Sequence, residues 1–322
     1  MICGKAFNCV KYALKEVILQ PLNPTIMKNY PLFVFFAVSV LLTSCFKDDI
    51  LVETTSPMGL PVSVPPVAPP TSATDSTLLL GNPSNASNNV SDIANYLIRE
   101  GYYSVSYNRD RGTANWVSWR VSSTDFGATP RQDNFRPNPN LPAGWYQVGS
   151  LSYASSGFDR GHLCPSSDRT SSVIANSSTF LMTNIIPQAP VNNQVTWASL
   201  EDYCRTLVSA GNELYIISGV YGEGGTSNTS GFQTALDNGR VTVPANLWKT
   251  IVVLSNGNND LNRVSASTRV ISVVMPNTDA IGSDWRQYRT SVDFIEQETG
   301  YNLLSNVSNT VQNTIESRID NL

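Results

Sequence analysis

Between positions 54 and 90 the chain carries seven prolines, eleven serines and threonines, and one charge, Asp75. Proline fixes φ and removes a backbone donor, and a stretch of this composition buries too little to offset the entropy of ordering it. It reads as an extended tether. The globular part is therefore expected to start near Ser91, leaving roughly 230 residues for one domain. The 41% of hydrophobic residues can supply a sizeable core.

The only long apolar run lies upstream, at 32–42, after Met27 and Lys28. It is too short to span a bilayer as a helix but fits the core of a signal peptide. The following Leu42-Thr43-Ser44-Cys45 resembles a bacterial lipobox, in which Cys45 is lipidated and becomes the first mature residue. Residues 1–26 then read as a mis-assigned upstream extension, 27–44 as the signal peptide, and 45–90 as anchor and tether. Phe46-Lys47-Asp48-Asp49 resembles the acidic export tags of some surface-exposed lipoproteins. The expectation is an exported lipoprotein of a Gram-negative outer membrane, periplasmic or surface-exposed, touching the membrane through its lipid alone.

The formal net charge of −4 argues against a generic nucleic-acid coat or a polybasic membrane binder. Yet residues 91–210 carry nine charges of each sign, and the acidic excess lies in 211–322, with seven positive and eleven negative. Lys249 is the single lysine after residue 90; the other fifteen cations are arginines, whose planar fork suits phosphate. One histidine and five cysteines exclude Cys/His zinc modules and paired-histidine metal motifs. Any imidazole chemistry must use His162.

Segments 102–107, 116–121, 213–221, 247–254 and 269–275 are rich in β-branched and aromatic residues and bounded by turn formers, which predicts strands. Helical patterns cover 193–210, 285–299 and 307–319, the last with Val307, Val311, Ile315 and Ile319 at i+4 steps. Strands and helices do not alternate regularly, so an α+β fold is favoured over a doubly wound parallel sheet.

The middle of the chain holds the chemistry. Asp159-Arg160-Gly161-His162 precedes Asn184-Ile185-Ile186-Pro187-Gln188 and a helix that begins near Asn193 and carries Glu201 and Arg205. An arginine, a lone histidine, amides and a glutamate suit hydrolysis of a phosphodiester. A neutral imidazole can deprotonate water near pH 7, and a divalent cation with an arginine can hold charge on phosphoryl oxygens. At 100° per residue Asn193 falls inside the apolar stripe of Trp197, Leu200, Cys204, Leu207 and Val208, where an amide needs a partner. Magnesium, which keeps several waters and takes few protein ligands, fits one amide oxygen plus waters oriented by Glu201. The same residues are also explained by an amide capping its own helix and an i,i+4 Glu201–Arg205 surface pair.

Asp159-Arg160-Gly161-His162 resembles the D-R-G-H signature of the DNA/RNA non-specific endonucleases, the ββα-metal family. Asn184 to Gln188, Asn193 with Trp197, Leu200, Glu201 and Arg205, Val243-Pro244 with Trp248-Lys249, and Val292 to Glu296 follow the family pattern in order. The resemblance implies a largely antiparallel central sheet flanked by helices and a Mg²⁺ (or Mn²⁺) cofactor. It also implies residue roles. His162 would be the general base, Asn193 the direct metal ligand, and Glu201 the residue that orients metal-bound waters. Arg160 and Arg205 would bind phosphate or stabilise the transition state; Arg131 is the best match for a further arginine, with Arg136 as competitor. Asp159, Gly161, Asn184 and Gln188 would support the site. A metal-bound water would protonate the leaving oxygen, giving 5′-phosphate and 3′-hydroxyl ends on DNA or RNA.

Cys164 and Cys204 flank this machinery and, in an exported protein, could join the histidine loop to the helix as a disulfide or remain buried thiols. Tyr221-Gly222-Glu223-Gly224-Gly225 lacks the lysine of a phosphate-binding loop and reads as a surface loop. Trp116, Trp119, Trp145, Tyr146 and Tyr153 could stack on bases, although Trp116 and Trp119 fit a strand in the core. Two rival readings are a catalytically inactive surface lipoprotein that binds nucleic acid and a small-nucleotide phosphodiesterase, which a closed pocket would favour.

Overall fold

The structure, a computed structural model, describes residues 76–322. The upstream extension, the signal peptide and Cys45 lie outside the described residues, as does most of the tether. The end of the tether is folded: Ser76–Leu78 forms a 3-10 turn, and Leu80 and Ala86 are buried. Ser84 Oγ accepts a hydrogen bond from Trp116 Nε1 at 2.8 Å. The ordered domain thus reaches back to Ser76, ahead of the boundary that composition suggests at 91. Leu78, Leu79 and Leu80 supply the apolar side chains that an average over the segment conceals.

Thirteen strands are present among the described residues: β1 (Tyr96–Arg99), β2 (Ser104–Asn108), β3 (Thr113–Val121), β4 (Asp159–His162), β5 (Ile185–Gln188), β6 (Asn212–Tyr221), β7 (Gly225–Ser227), β8 (Gly231–Gln233), β9 (Ala235–Leu236), β10 (Val241–Thr242), β11 (Asn246–Ser255), β12 (Arg269–Pro276) and β13 (Arg289–Thr290). Seven form one antiparallel sheet in the order β1-β2-β3-β6-β11-β12-β13. The helices are α1 (Val173–Ser178), α2 (Ala198–Ser209), α3 (Asp260–Arg263), α4 (Val292–Thr299) and α5 (Asn309–Ile315). The fold is α+β, as the sequence implies.

Successive strand residues point to opposite faces, and both faces of this sheet are covered. Trp119, Ile216, Ile251 and Ile271 pack with Trp197, Leu200, Cys204 and Val208 from the α2 side. Their chain neighbours Ile217, Val252 and Val270, with Trp116, pack with Val292, Ile295 and Ile315 of α4 and α5. Burial on both sides is why β6, β11 and β12 read as apolar runs. Trp116 and Trp119 are core, and Trp145 packs its ring against Tyr96 and Tyr107, so none of the three offers a free stacking surface. Gly219 stands opposite both Trp116 and Trp248. A Cβ there would lie 2.6 Å from the Trp248 ring, so the glycine admits the indole.

Two helix expectations are corrected. Positions 285–299 are not one helix: Trp285–Tyr288 is a 3-10 turn, and Arg289 and Thr290 pair with Val273 and Ser272 at the sheet edge. Ser291 then caps α4 by accepting from the Phe294 N–H, and Gly300 ends it at φ 73°. The final helix stops at Ile315, and Ile319 is exposed. There Arg318 donates to the Ala266 carbonyl and Asp320 pairs with Arg269, drawing the chain off the helical path.

Candidate active site

The Asp159-Arg160-Gly161-His162 motif is strand β4 itself. It pairs with β5 in the register Asp159–Gln188, Arg160–Pro187, Gly161–Ile186 and His162–Ile185. At position 161 a Cβ would stand 2.1 Å from Gln188 Oε1 and 2.6 Å from its Cβ, so only glycine fits without displacement. Gln188 is buried and donates to Asn192 Oδ1 at 2.8 Å, tying β5 to the following helix. Asn184 holds the opposite end: its Oδ1 accepts from the Cys164 N–H at 2.9 Å, and its Nδ2 donates to the carbonyls of Cys164 and Thr179.

His162 is 9% exposed, with the rings of Phe135 and Phe180 at 5.4 and 5.0 Å between centroids. Its Nε2 has no hydrogen-bond partner among the described residues. Burial first, and then the positive charges of Arg131 and Arg160, push its pKa down from 6.5 to about 3. The imidazole is therefore neutral near pH 7.

The helix does not begin as the 100° wheel assumes. Asn192–Trp197 is a π turn running into α2, with i→i+5 hydrogen bonding and fewer degrees per residue. Asn192 becomes the buried amide, and half-buried Asn193 turns to β4. Asn193 Nδ2 donates to Asp159 Oδ2 at 2.8 Å, and Gln194 Nε2 donates to the same oxygen at 2.8 Å. With its amino group so engaged, Asn193 presents a carbonyl-type oxygen, and it makes no helix-cap bond.

Glu201 does not pair with Arg205. Lys249, on β11 and 1% exposed, places Nζ 3.4 Å from Glu201 Oε1. The same ammonium lies 4.3 Å from the centroid of the Trp197 ring and 5.6 Å from that of Trp119. Burial raises the Glu201 pKa, with Lys249 and Arg205 opposing it and Asp168 adding to it. Arg205 is held by Asp202 at 2.5 Å and by Asp168 at 3.4 Å, and Asp168 also accepts from Trp119 Nε1 at 3.1 Å. Sequence reasoning assigned no role to Lys249 or Asp168. For Lys249 the signal was there: a lone lysine inside an apolar strand run demands a partner. Asp168 carried none.

Arg131, Arg160, Asp159 and Asn193 line one open depression of about 510 Å³, with Phe135 and Leu151 beside them. The Arg160 guanidinium lies 4.0 Å from the centroid of the Phe135 ring. Arg131 sits 4.8 Å from that of Phe180 and donates to Ser166 Oγ at 2.8 Å. Arg136 instead donates to the carbonyls of Asn134 and Ser177 and does not line the depression. Glu201 and Arg205 lie beyond it, on α2.

The possible disulfide is not formed. Cys164 and Cys204 are buried free thiols within one apolar cluster. Burial pushes both upward in pKa, Cys204 to about 12. The histidine loop is pinned by the Asn184 amide, without a sulfur cross-link.

Strand, strand and helix thus meet around a histidine, an amide and arginines. Residues 81–310 match the family model described as DNA/RNA non-specific endonuclease. The chain belongs to this family. It is 48% identical over 258 residues to a "Nuclease" of Nostoc sp., covering 80% of this chain and 91% of that protein. It is 31% identical over 205 residues to "Nuclease EXOG, mitochondrial" of Danio rerio, covering 61% of this chain and 57% of that one. In fold it resembles a chain of the crystal structure of the EndoG/EndoGI complex, with a TM-score of 0.60 and 19% identity over 76% of this chain and 96% of that one. Membership makes this DNA/RNA non-specific endonuclease a hydrolase whose substrates are nucleic acids.

Proposed function

We propose that the endonuclease hydrolyses DNA and RNA with His162 as general base and a Mg²⁺ ion (or Mn²⁺) held by Asn193. The observation that carries this reading is the neutral, unpartnered Nε2 of His162, buried behind Arg131 and Arg160, which line the depression together with Asn193. The donor set suits a hard cation: Asn193 would supply an amide oxygen, and Glu201, further along α2, a carboxylate to orient the ion's waters. When bound, the ion neutralises charge that builds on the phosphoryl oxygens.

The chain's own groups do the rest. Arg160 and Arg131, exposed at the depression, seat the scissile phosphate, which adds its charge to that of the Asp133 carboxylate already paired with Arg131. Arg205, fixed by Asp168 and Asp202, adds positive charge on the α2 side. His162 Nε2 accepts the proton of the attacking water. The water oxygen bonds to phosphorus, the bond from phosphorus to the 3′-oxygen breaks, and that oxygen takes a proton from a second water molecule, while His162 returns its own proton to solvent. The ends are 5′-phosphate and 3′-hydroxyl. The openness of the depression favours a polymer over a free small nucleotide.

The test is cleavage of supercoiled plasmid and of RNA by the purified protein, with Mg²⁺ or EDTA. Degradation that EDTA and His162→Ala both abolish supports the reading; full activity of His162→Ala overturns the mechanism. Binding without cleavage would favour an inactive nucleic-acid binder, and cleavage of dinucleotides alone a small-nucleotide phosphodiesterase. The expected lipid on Cys45 belongs to the same proposal: an exported enzyme held at the outer membrane would meet nucleic acid outside the cytoplasm. Incorporation of labelled palmitate, lost in Cys45→Ser, tests it.

A further inference from the structure

In the layer that covers the other face of the sheet, three carboxylates converge. Asp293 lies in the first turn of α4, Glu296 one turn further on, and Glu316 at the C-cap of α5. One oxygen from each falls within 4.8 Å of the others. Glu316 is 4% exposed, and its Oε1 is fully shielded with no hydrogen-bond partner among the described residues. None of the three forms a salt bridge among the described residues. The donors nearby are spent: the Leu303 N–H bonds Glu296 Oε1 at 2.7 Å, the Asp293 N–H the Glu316 carbonyl at 3.1 Å, and the Phe294 N–H the Ser291 hydroxyl.

A buried acceptor with no donor, facing two further carboxylates, calls for a proton or a cation. Burial, with Glu296 and Asp293 adding to it, pushes the Glu316 carboxyl up to about 7. The ligands are all oxygen and include neither imidazole nor thiolate, which excludes a zinc-type set. Carboxylates that can bind through one or both oxygens, with Asp293 open to water, match the flexible shell of calcium better than the strict octahedron of magnesium.

We propose that Asp293, Glu296 and Glu316 hold a calcium-class divalent cation that ties α5 to α4, as a structural site separate from the nuclease centre. Glu316 belongs to the chain that leaves α5, so an ion there fastens the C-terminal segment to the domain.

The experiment uses the full chain carrying Asn193→Ala, so that the nuclease centre does not contribute an ion. After metal removal, calcium alone is titrated, and bound calcium and the melting temperature are both read. One calcium per chain and a rise of about 5 °C at saturation are expected. Adding Glu316→Gln or, separately, Glu296→Gln should abolish both responses, while Glu316→Gln raises the calcium-free melting temperature by relieving repulsion. Absence of bound calcium in the Asn193→Ala protein overturns the proposal. So does an unchanged calcium response in both added variants, or a cluster that is stabilised by lowering the pH but not by calcium.

Discussion

Lys249 Nζ and Glu201 Oε1 stand 3.4 Å apart, with the lysine almost fully excluded from water. A buried ammonium facing a half-buried carboxylate is stable only while both charges remain. Lys249→Met should leave Glu201 without its main counter-charge and raise its pKa further. On the proposed mechanism, activity should fall about 10–100-fold and the acid limb of the pH–rate profile should move to higher pH. Plasmid cleavage across pH and Mg²⁺ concentration measures both. An unchanged profile would remove Lys249 from the mechanism.

Asp159 accepts from both Asn193 and Gln194, and so fixes which end of the Asn193 amide is free. Asp159→Ala releases that amide. We expect the Mg²⁺ dependence of cleavage to shift about 10–100-fold to higher concentration, with the melting temperature much less affected. Equal Mg²⁺ dependence in the variant and the parent would contradict the assignment.

Gly161→Ala places a methyl group against Gln188, which is itself held by Asn192 and has little room to retreat. A loss of about 1–3 kcal/mol is expected from overpacking, read as a lower urea midpoint. Cleavage should suffer too, because the displaced strand is the one that carries His162.

The depressed pKa of His162 has a stability consequence. Unfolded, the imidazole takes a proton near 6.5; folded, only near 3. Between those values the unfolded state binds more protons, so stability falls as the pH drops from 6.5 toward 3. Urea midpoints at pH 7 and pH 5 should differ more for the parent than for His162→Asn. Equal differences would indicate that the histidine is not buried as neutral imidazole.

Much of this was legible beforehand. Runs such as Ile216-Ile217 and Ile251-Val252 mark strands buried on both faces, because each neighbour serves a different core. The motif residues could be matched one by one, because D-R-G-H demands a glycine where Gln188 crosses. The Glu201 partner was not legible, since a helix wheel shows intrahelical spacing and Lys249 arrives from a strand far along the chain. Nor was the start of α2, where tertiary bonds from Asn192 to the Pro276 carbonyl and from Gln188 to Asn192 override the regular helical register. The ordered turn at Ser76 was hidden for a simpler reason: three leucines were averaged into a proline-rich segment.

The wide turn at Asn192–Trp197 amounts to one surplus residue lodged in a helix. Such an insertion can in principle be undone by a single codon deletion, for instance at exposed Val195. The shortened helix would gain ordinary backbone geometry and rotate everything before the deletion relative to everything after it. On the proposed mechanism, Asn193 and Glu201 would then no longer be phased to the same centre. If Asn193 and Glu201 act together as proposed, an irregularity that weakens the helix locally keeps the amide and the carboxylate in step, and a more regular descendant would be the less capable nuclease.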